Sequence, residues 1–234
     1  MRDATLITAI DVGTTKVCTI VGSKAGPNRL NILAHSVVPS KGIRKGNVAD
    51  IASTAAAIRA SVEDAERITG IKIRSAYVGV TGAHVSFANL RYEMGWAGAR
   101  GVITADDLDR APEQAVSLGA GEGRQVLHAI PMHYSVDRQQ GIRDPIGMHT
   151  RSLEVETHVV TAGSSYIDKL IEAVESAGIK VDDLVLEPLA SSTAVLTPHE
   201  KEHGAVLVDI GGGTTDLAMF KRGSLYFTSV IPVG

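Results

Sequence analysis

The chain has 234 residues, 44% of them hydrophobic, enough to bury a sizeable core in one large domain or two ordinary ones. A formal charge of −3 argues against a nucleic-acid partner, and the densest basic cluster, Lys41, Arg44 and Lys45, reads as a solvated loop. The single cysteine, Cys18, excludes an intrachain disulfide or a thiolate metal cluster; within an apolar strand it reads as a small buried hydrophobe.

Residues 1–5 lead into a brief apolar run that Asp11 breaks, which is neither a signal peptide nor a membrane span, so the cytoplasm is the expected compartment. Residues 6–10 (LITAI) form a strand, Asp11, Gly13, Thr14, Thr15 and Lys16 a turn, and 17–22 (VCTIVG) a return strand. A third strand covers 30–38 and a loop 39–46. Asn47 is the expected N-cap of a helix, with Asp50 three residues on. In that helix Ile51, Ala55, Ile58, Val62, Ala65 and Ile68 recur at spacings of three and four, and Gly70 ends it. A fourth strand, 76–81 (AYVGVT), closes at Gly82.

Residues 85–162 have their own organisation. The stretch 84–90 alternates as a half-buried strand, and 104–107 (TADD) opens a helix in capping-box order that runs to Leu118. A strand follows over 125–136, where Pro131 marks an edge or a bulge, and 153–160 (LEVETHVV) alternates on its way back to the core. His84, His128, His133, His149 and His158 lack ligand spacing and read as ordinary core or surface residues. Trp96, in a Gly-rich loop, is either an exposed contact residue or a buried one. With that stretch set aside, Ser164 or Ser165 caps a helix carrying Ile167, Leu170, Ile171 and Val174, which Gly178 stops. A strand at 181–186 follows, and Pro188 opens a short helix through Leu196. The composite order is βββαβαβα, an α/β arrangement expected to form a mixed sheet covered on both faces.

Residues 204–220 (GAVLVDIGGGTTDLAMF) carry the densest chemistry. A strand over 205–208 ends at Asp209, turns through Gly211, Gly212, Gly213, Thr214 and Thr215, and returns over 217–220, with Asp216 read as a cap of the hairpin. Glycines let the backbone turn sharply and bring N–H groups near a phosphate, and the Thr hydroxyls can donate to the same anion. The order Asp, Gly, Thr also occurs at 11–16. Two such turns suggest related half-domains facing each other across one phosphate chain. Asp11 and Asp209, each at the mouth of a turn, suit a hydrated Mg²⁺; a plain turn-capping role for Asp11 is the alternative.

These repeated turns resemble the two phosphate loops of the actin/Hsp70/sugar-kinase ATPase superfamily, at 11–16 and 209–216. Within it the chain is similar to the FtsA family of bacterial cell-division proteins, because its insert follows the fourth strand rather than the third. Residues 79–85 (GVTGAHV), 126–131 (VLHAIP) and 141–148 (GIRDPIGM) fit that family's pattern, and 186–192 (LEPLASS) looks like its inter-domain connection. The resemblance implies an actin-like ATPase fold with a ribonuclease-H-like core domain over 1–83 and 163–198. An inserted SHS2-like α+β subdomain would occupy 84–162, and 199–234 would begin a second actin-like domain. Family members continue to a C-terminal amphipathic membrane helix, so the chain is expected to be truncated. Val206, Leu207, Leu217, Met219, Phe220, Leu225 and Phe227 would then be left without partners.

The resemblance further implies an ATP-binding divisome scaffold that polymerises with itself, works with other division proteins and anchors FtsZ filaments. Such a protein lies on the cytoplasmic face of the inner membrane at the division site and is at most a slow Mg-dependent ATPase. A pilus-assembly scaffold and a sugar-kinase-like phosphotransferase are the alternatives. ATP would be held by Asp11, Gly13, Thr14, Thr15, Lys16, Gly211, Gly212, Gly213, Thr214 and Thr215, with Asp11 and Asp209 reaching Mg²⁺ through water. Asp209 would also orient the attacking water. Glu187 either faces the γ-phosphate or is a helix-start carboxylate, and Lys16 is either a phosphate contact or a solvated strand residue.

Overall fold

Three successive strands, β1 (Leu6–Val12), β2 (Lys16–Gly26) and β3 (Arg29–Pro39), fold back on one another antiparallel in the computed structural model, which describes residues 5–26, 29–94 and 101–234. Trp96 lies outside the described residues. A small hairpin, β4 (Ile43–Arg44) and β5 (Asn47–Val48), precedes α1 (Ile51–Thr69), and β6 (Ser75–Val80) follows it. The insert contains β7 (Ser86–Glu93), α2 (Ala105–Asp109), α3 (Ala111–Gly119), β8 (Arg124–Val136) and β9 (Gln139–Ile142), and returns on β10 (Leu153–Gly163). Then come α4 (Ser164–Ser176), β11 (Lys180–Leu186), α5 (Glu187–Val195) and α6 (Pro198–His203). The chain finishes on β12 (Ala205–Ile210), β13 (Thr215–Lys221) and β14 (Ser224–Ile231).

The first sheet has the order β11-β6-β1-β2-β3, with β6 and β11 parallel to β1. The sheet is therefore mixed, as expected. Alternation sends Ile10, Val12, Val17, Val21, Ala76 and Val78 to one face, where they form a core with Ala55, Ile58, Val62 and Ala65 of α1 and with Ala173 and Val174 of α4. Both helices therefore lie on the same face. On the other face Ile20, Val37 and Tyr77 are exposed, so among the described residues the expected cover lies on one face only. Cys18 shares that second face and is only half-buried, in contrast to the fully buried hydrophobe expected.

Two helix caps differ from expectation. Asp50, not Asn47, caps α1: its carboxylate accepts the Ser53 N–H at 2.8 Å, because Asn47 is drawn into the β4–β5 hairpin. Gly163, with no side-chain cap, precedes α4 in place of Ser164 or Ser165, which are helical. Gly70 does end α1 in the left-handed conformation, at φ 69°, whereas Ile68 on the last turn is exposed.

The insert forms a sheet of order β7-β10-β8-β9; Ala111 and Ala115 of α3 pack with Tyr92, Tyr134, Val155 and Val159, and α2 adds the partly buried Leu108. Thr104 and Asp107 make the expected capping box, and the register shifts opposite Pro131, the expected bulge. This sheet docks on the terminal one. Asn89 Nδ2 donates to the Tyr226 carbonyl at 3.0 Å, Ser224 Oγ donates to the Met132 carbonyl, and Phe87 meets Phe227 edge to face. Between them lies His158, fully buried, bonded through Nδ1 to Asn89 Oδ1 (2.7 Å) and through Nε2 to Thr228 Oγ1 (3.2 Å).

The terminal strands thus have partners that the sequence reading denied them. Leu207, Ala218, Phe220 and Leu225 are buried against Ile130 of the insert and Leu189 and Leu196 around α5. Val206, Val208, Ile210 and Met219, on the opposite face, are exposed. Among the described residues no helix is long and apolar enough to cross a membrane.

Candidate functional site

Both Gly-rich turns are closed in the same way. Gly13 N–H donates to the Lys16 carbonyl at 3.0 Å and Gly211 N–H to the Thr214 carbonyl at 2.8 Å. Superposed on that bond, Asp11 matches Asp209, and the Thr14–Thr15 tip matches the Gly212–Gly213 tip. The two Thr–Thr pairs are therefore not equivalent: Thr214 closes the second turn with its carbonyl, where Lys16 closes the first, and Thr215 already belongs to β13.

None of Gly13, Gly211, Gly212 or Gly213 has a positive φ, so left-handed turning is not what requires glycine here. Close approach is. A methyl group on Gly212 would collide with Thr15, and one on Gly213 would sit 2.7 Å from Thr14 Oγ1. The loops meet tip to tip, side-chain-bearing against bare. The expected residues Gly13, Thr14, Thr15, Gly211, Gly212, Gly213 and Thr214 are brought together by that contact. Lys16 is exposed, and its charge offsets part of the rise that burial gives the Asp11 pKa, while Thr215 turns its hydroxyl to the Val233 carbonyl.

Four carboxylates gather behind the tips. Asp209 accepts a hydrogen bond from Ser191 Oγ of α5 at 2.8 Å. Glu187, in the first turn of α5, leans over β6 so closely that a methyl on Gly79 would lie 3.2 Å from its Oε1. Asp216 pairs with Asp209 across the second hairpin, as Cys18 pairs with Asp11 across the first. It does not cap the hairpin. Alternation along β13 puts Asp216 on the buried face with Ala218 and Phe220, where it accepts the Thr81 hydroxyl at 2.6 Å and ties the second loop to the end of β6.

The acids perturb one another. Burial, then the charges of Asp11, Asp216 and Asp209, push Glu187 well above the ordinary glutamate range. Asp11 is raised by burial, eased by Lys16 and raised again by Asp209. Asp216 is raised by burial and by Asp209 and Asp11, against the hydroxyls of Thr81 and Thr214. Such a cluster favours a cation. Among the described residues no three acidic, histidine or cysteine side chains converge as a direct metal-ligand set. Asp216, Thr81 and Ser191 were missed in the sequence. The available signals were the position of Asp216 opposite Asp209 in the hairpin and the i, i+4 spacing of Glu187 and Ser191.

Residues 82–161 match the family model described as the SHS2 domain inserted in FtsA. Across its full length the chain is 36% identical to the cell division protein FtsA of Pseudomonas aeruginosa, covering 55% of that protein. Over 97% of its length it is 38% identical to FtsA of Neisseria meningitidis serogroup B, again covering 55% of the relative.

Along its length the chain is similar to FtsA proteins.

It spans about half the length of the curated FtsA relatives it matches. Among solved structures, the PilM–PilN type IV pilus biogenesis complex is similar with a TM-score of 0.65 at 14% identity, covering 99% of this chain and 62% of that one. At that identity the likeness shows the fold alone, an actin-like ATPase fold. The insert position that marked FtsA in the sequence coincides with the matched SHS2 segment.

Proposed function

We propose that this FtsA-like chain forms the phosphate-binding part of an actin-like cell-division scaffold. It binds ATP with Mg²⁺ between its two loops, turns it over slowly at most, polymerises, and links FtsZ filaments to the cytoplasmic membrane. The observation carrying the nucleotide reading is the tip-to-tip contact of two equivalent Asp-Gly loops with Asp11, Asp209, Asp216 and Glu187 gathered behind them. We place the domain boundaries at 1–83 with 163–198, at 84–162 and at 199–234.

In this reading the backbone N–H groups and hydroxyls of the loops hold the phosphates. Bound Mg²⁺ supplies neutralising charge to the phosphates. Asp11 and Asp209 would hold that ion through water, with Ser191 fixing the Asp209 carboxylate by its hydrogen bond. Glu187, with its affinity for a proton raised, accepts one from a water attacking the terminal phosphoryl group. The FtsZ role rests on the FtsA family; the 36–38% identity to FtsA proteins favours it over a pilus scaffold, whose likeness is at 14%. Co-sedimentation tests it. Carried in a protein of the relatives' full length, the chain is expected to pellet with FtsZ filaments in Mg–ATP. Its absence from those pellets, with and without nucleotide, would contradict the scaffold role.

A further inference from the structure

Charge at this site is one-sided: four carboxylates gather there, and the phosphate loops themselves contribute one cation, Lys16. A triphosphate would add more negative charge. The β4–β5 hairpin, read from the sequence as a solvated loop, lies where the missing positive charge belongs. Its tip is wedged between both loops. Gly46 N–H donates to Thr14 Oγ1 at 3.2 Å, and a methyl on Gly46 would lie 3.1 Å from Thr81 Cγ2, Thr214 Cγ2 and Gly82.

Beside the tip lies a cleft of about 400 Å³ lined by Thr14, Gly212 and Gly213 of the loops and by Arg44 and Lys45 of the hairpin. Lys45 is held at φ 50°, a left-handed conformation unfavourable for any residue with a Cβ, and Asn47 Nδ2 donates to its carbonyl at 3.1 Å. Both cationic side chains are exposed, and among the described residues neither forms an ion pair.

We infer that Arg44 and Lys45 are the cationic wall of the phosphate cleft, recognising the terminal phosphoryl group of a nucleoside triphosphate and setting its preference over the diphosphate. The inference rests on the nucleotide reading above. A fork-shaped guanidinium and a point-charge ammonium beside the loop tips match the multiple oxygens of a phosphoryl group.

The test is titration of the chain with Mg–ATP, Mg–ADP and, to remove the base, Mg–tripolyphosphate. Arg44→Gln/Lys45→Gln is compared with the charge-keeping Arg44→Lys/Lys45→Arg. The Gln pair should weaken ATP and tripolyphosphate by about tenfold or more and ADP by less than about threefold, while the charge-keeping pair stays within about threefold of wild type. Circular dichroism checks that each variant is folded. Should the double Gln variant unfold, Arg44→Gln and Lys45→Gln alone make the same comparison, each with about a threefold loss for ATP. Equal loss for ATP and ADP, or no loss for either, overturns this inference alone. A wild-type chain that binds neither nucleotide nor tripolyphosphate overturns the nucleotide reading and this inference together.

Discussion

Burial and three neighbouring acids raise Glu187 above the ordinary value of 4.5, so the folded chain holds its proton more tightly than the unfolded chain does. The stability this contributes is present below 4.5 and lost as pH rises through the raised value. Glu187→Gln cannot ionise and should escape that loss. Its melting midpoint is expected above that of wild type at pH 8, with the two converging towards pH 4.5, and its ATP turnover is expected to fall by about 100-fold. Parallel pH profiles for the two proteins would show that Glu187 ionises without penalty. Gly213 makes a second prediction. An added methyl would meet Thr14 Oγ1 at 2.7 Å, so Gly213→Ala must push the loop tips apart. Nucleotide affinity should drop at least about tenfold, and Thr14→Ala, which deletes both the hydroxyl and the methyl that the added group meets, should restore part of it. Asp11, Asp209 and Glu187 were legible in the sequence because Gly and Pro punctuate their surroundings. Asp216 was not, because its partner, Thr81, lies 135 residues away and only the fold brings them together.

The elements were legible wherever periodicity alone decides them. The α1 stripe, the alternation of residues 153–157 at the start of β10 and the Thr104 capping box all have local causes, whereas residues 157–162 of β10 are buried throughout. The cap of α1 depended on a two-residue strand pairing that leaves no periodic trace. The docking of the insert on the terminal sheet was not legible either, since alternating strands say which face is buried but not against what. His158 at that junction tests the docking. Burial lowers its pKa to about 4 from an ordinary 6.5, so the neutral form is the one that fits between Asn89 and Thr228. The stability it contributes is present above 6.5 and lost as pH falls towards about 4. Amides of β14 should lose hydrogen-exchange protection over that window, after correction for intrinsic rates, ahead of those of β1 and β6. His158→Gln should flatten the loss. Simultaneous loss in β14 and β1 would show that the junction does not open on its own.

At the scale of the molecule, hairpins of two separate sheets present Asp-Gly tips to each other, and α5 runs between them carrying Glu187 and Ser191. The fold class followed from the strand–helix order, whereas the bare second face of the first sheet did not. Exposed Ile20, Val37 and Tyr77 alternate with buried residues just as covered ones would. The central claim is that the two tips form one Mg–nucleotide site rather than two unrelated turns, and a double-mutant cycle in Mg–ATP affinity tests it. Asp11→Asn and Asp209→Asn should each weaken binding by about tenfold, and EDTA should weaken wild type at least as much. The double variant should lose much less than the product of the two, because both carboxylates act on one hydrated ion. Full multiplicative losses, an undiminished affinity in Asp209→Asn, or binding indifferent to EDTA would contradict the account.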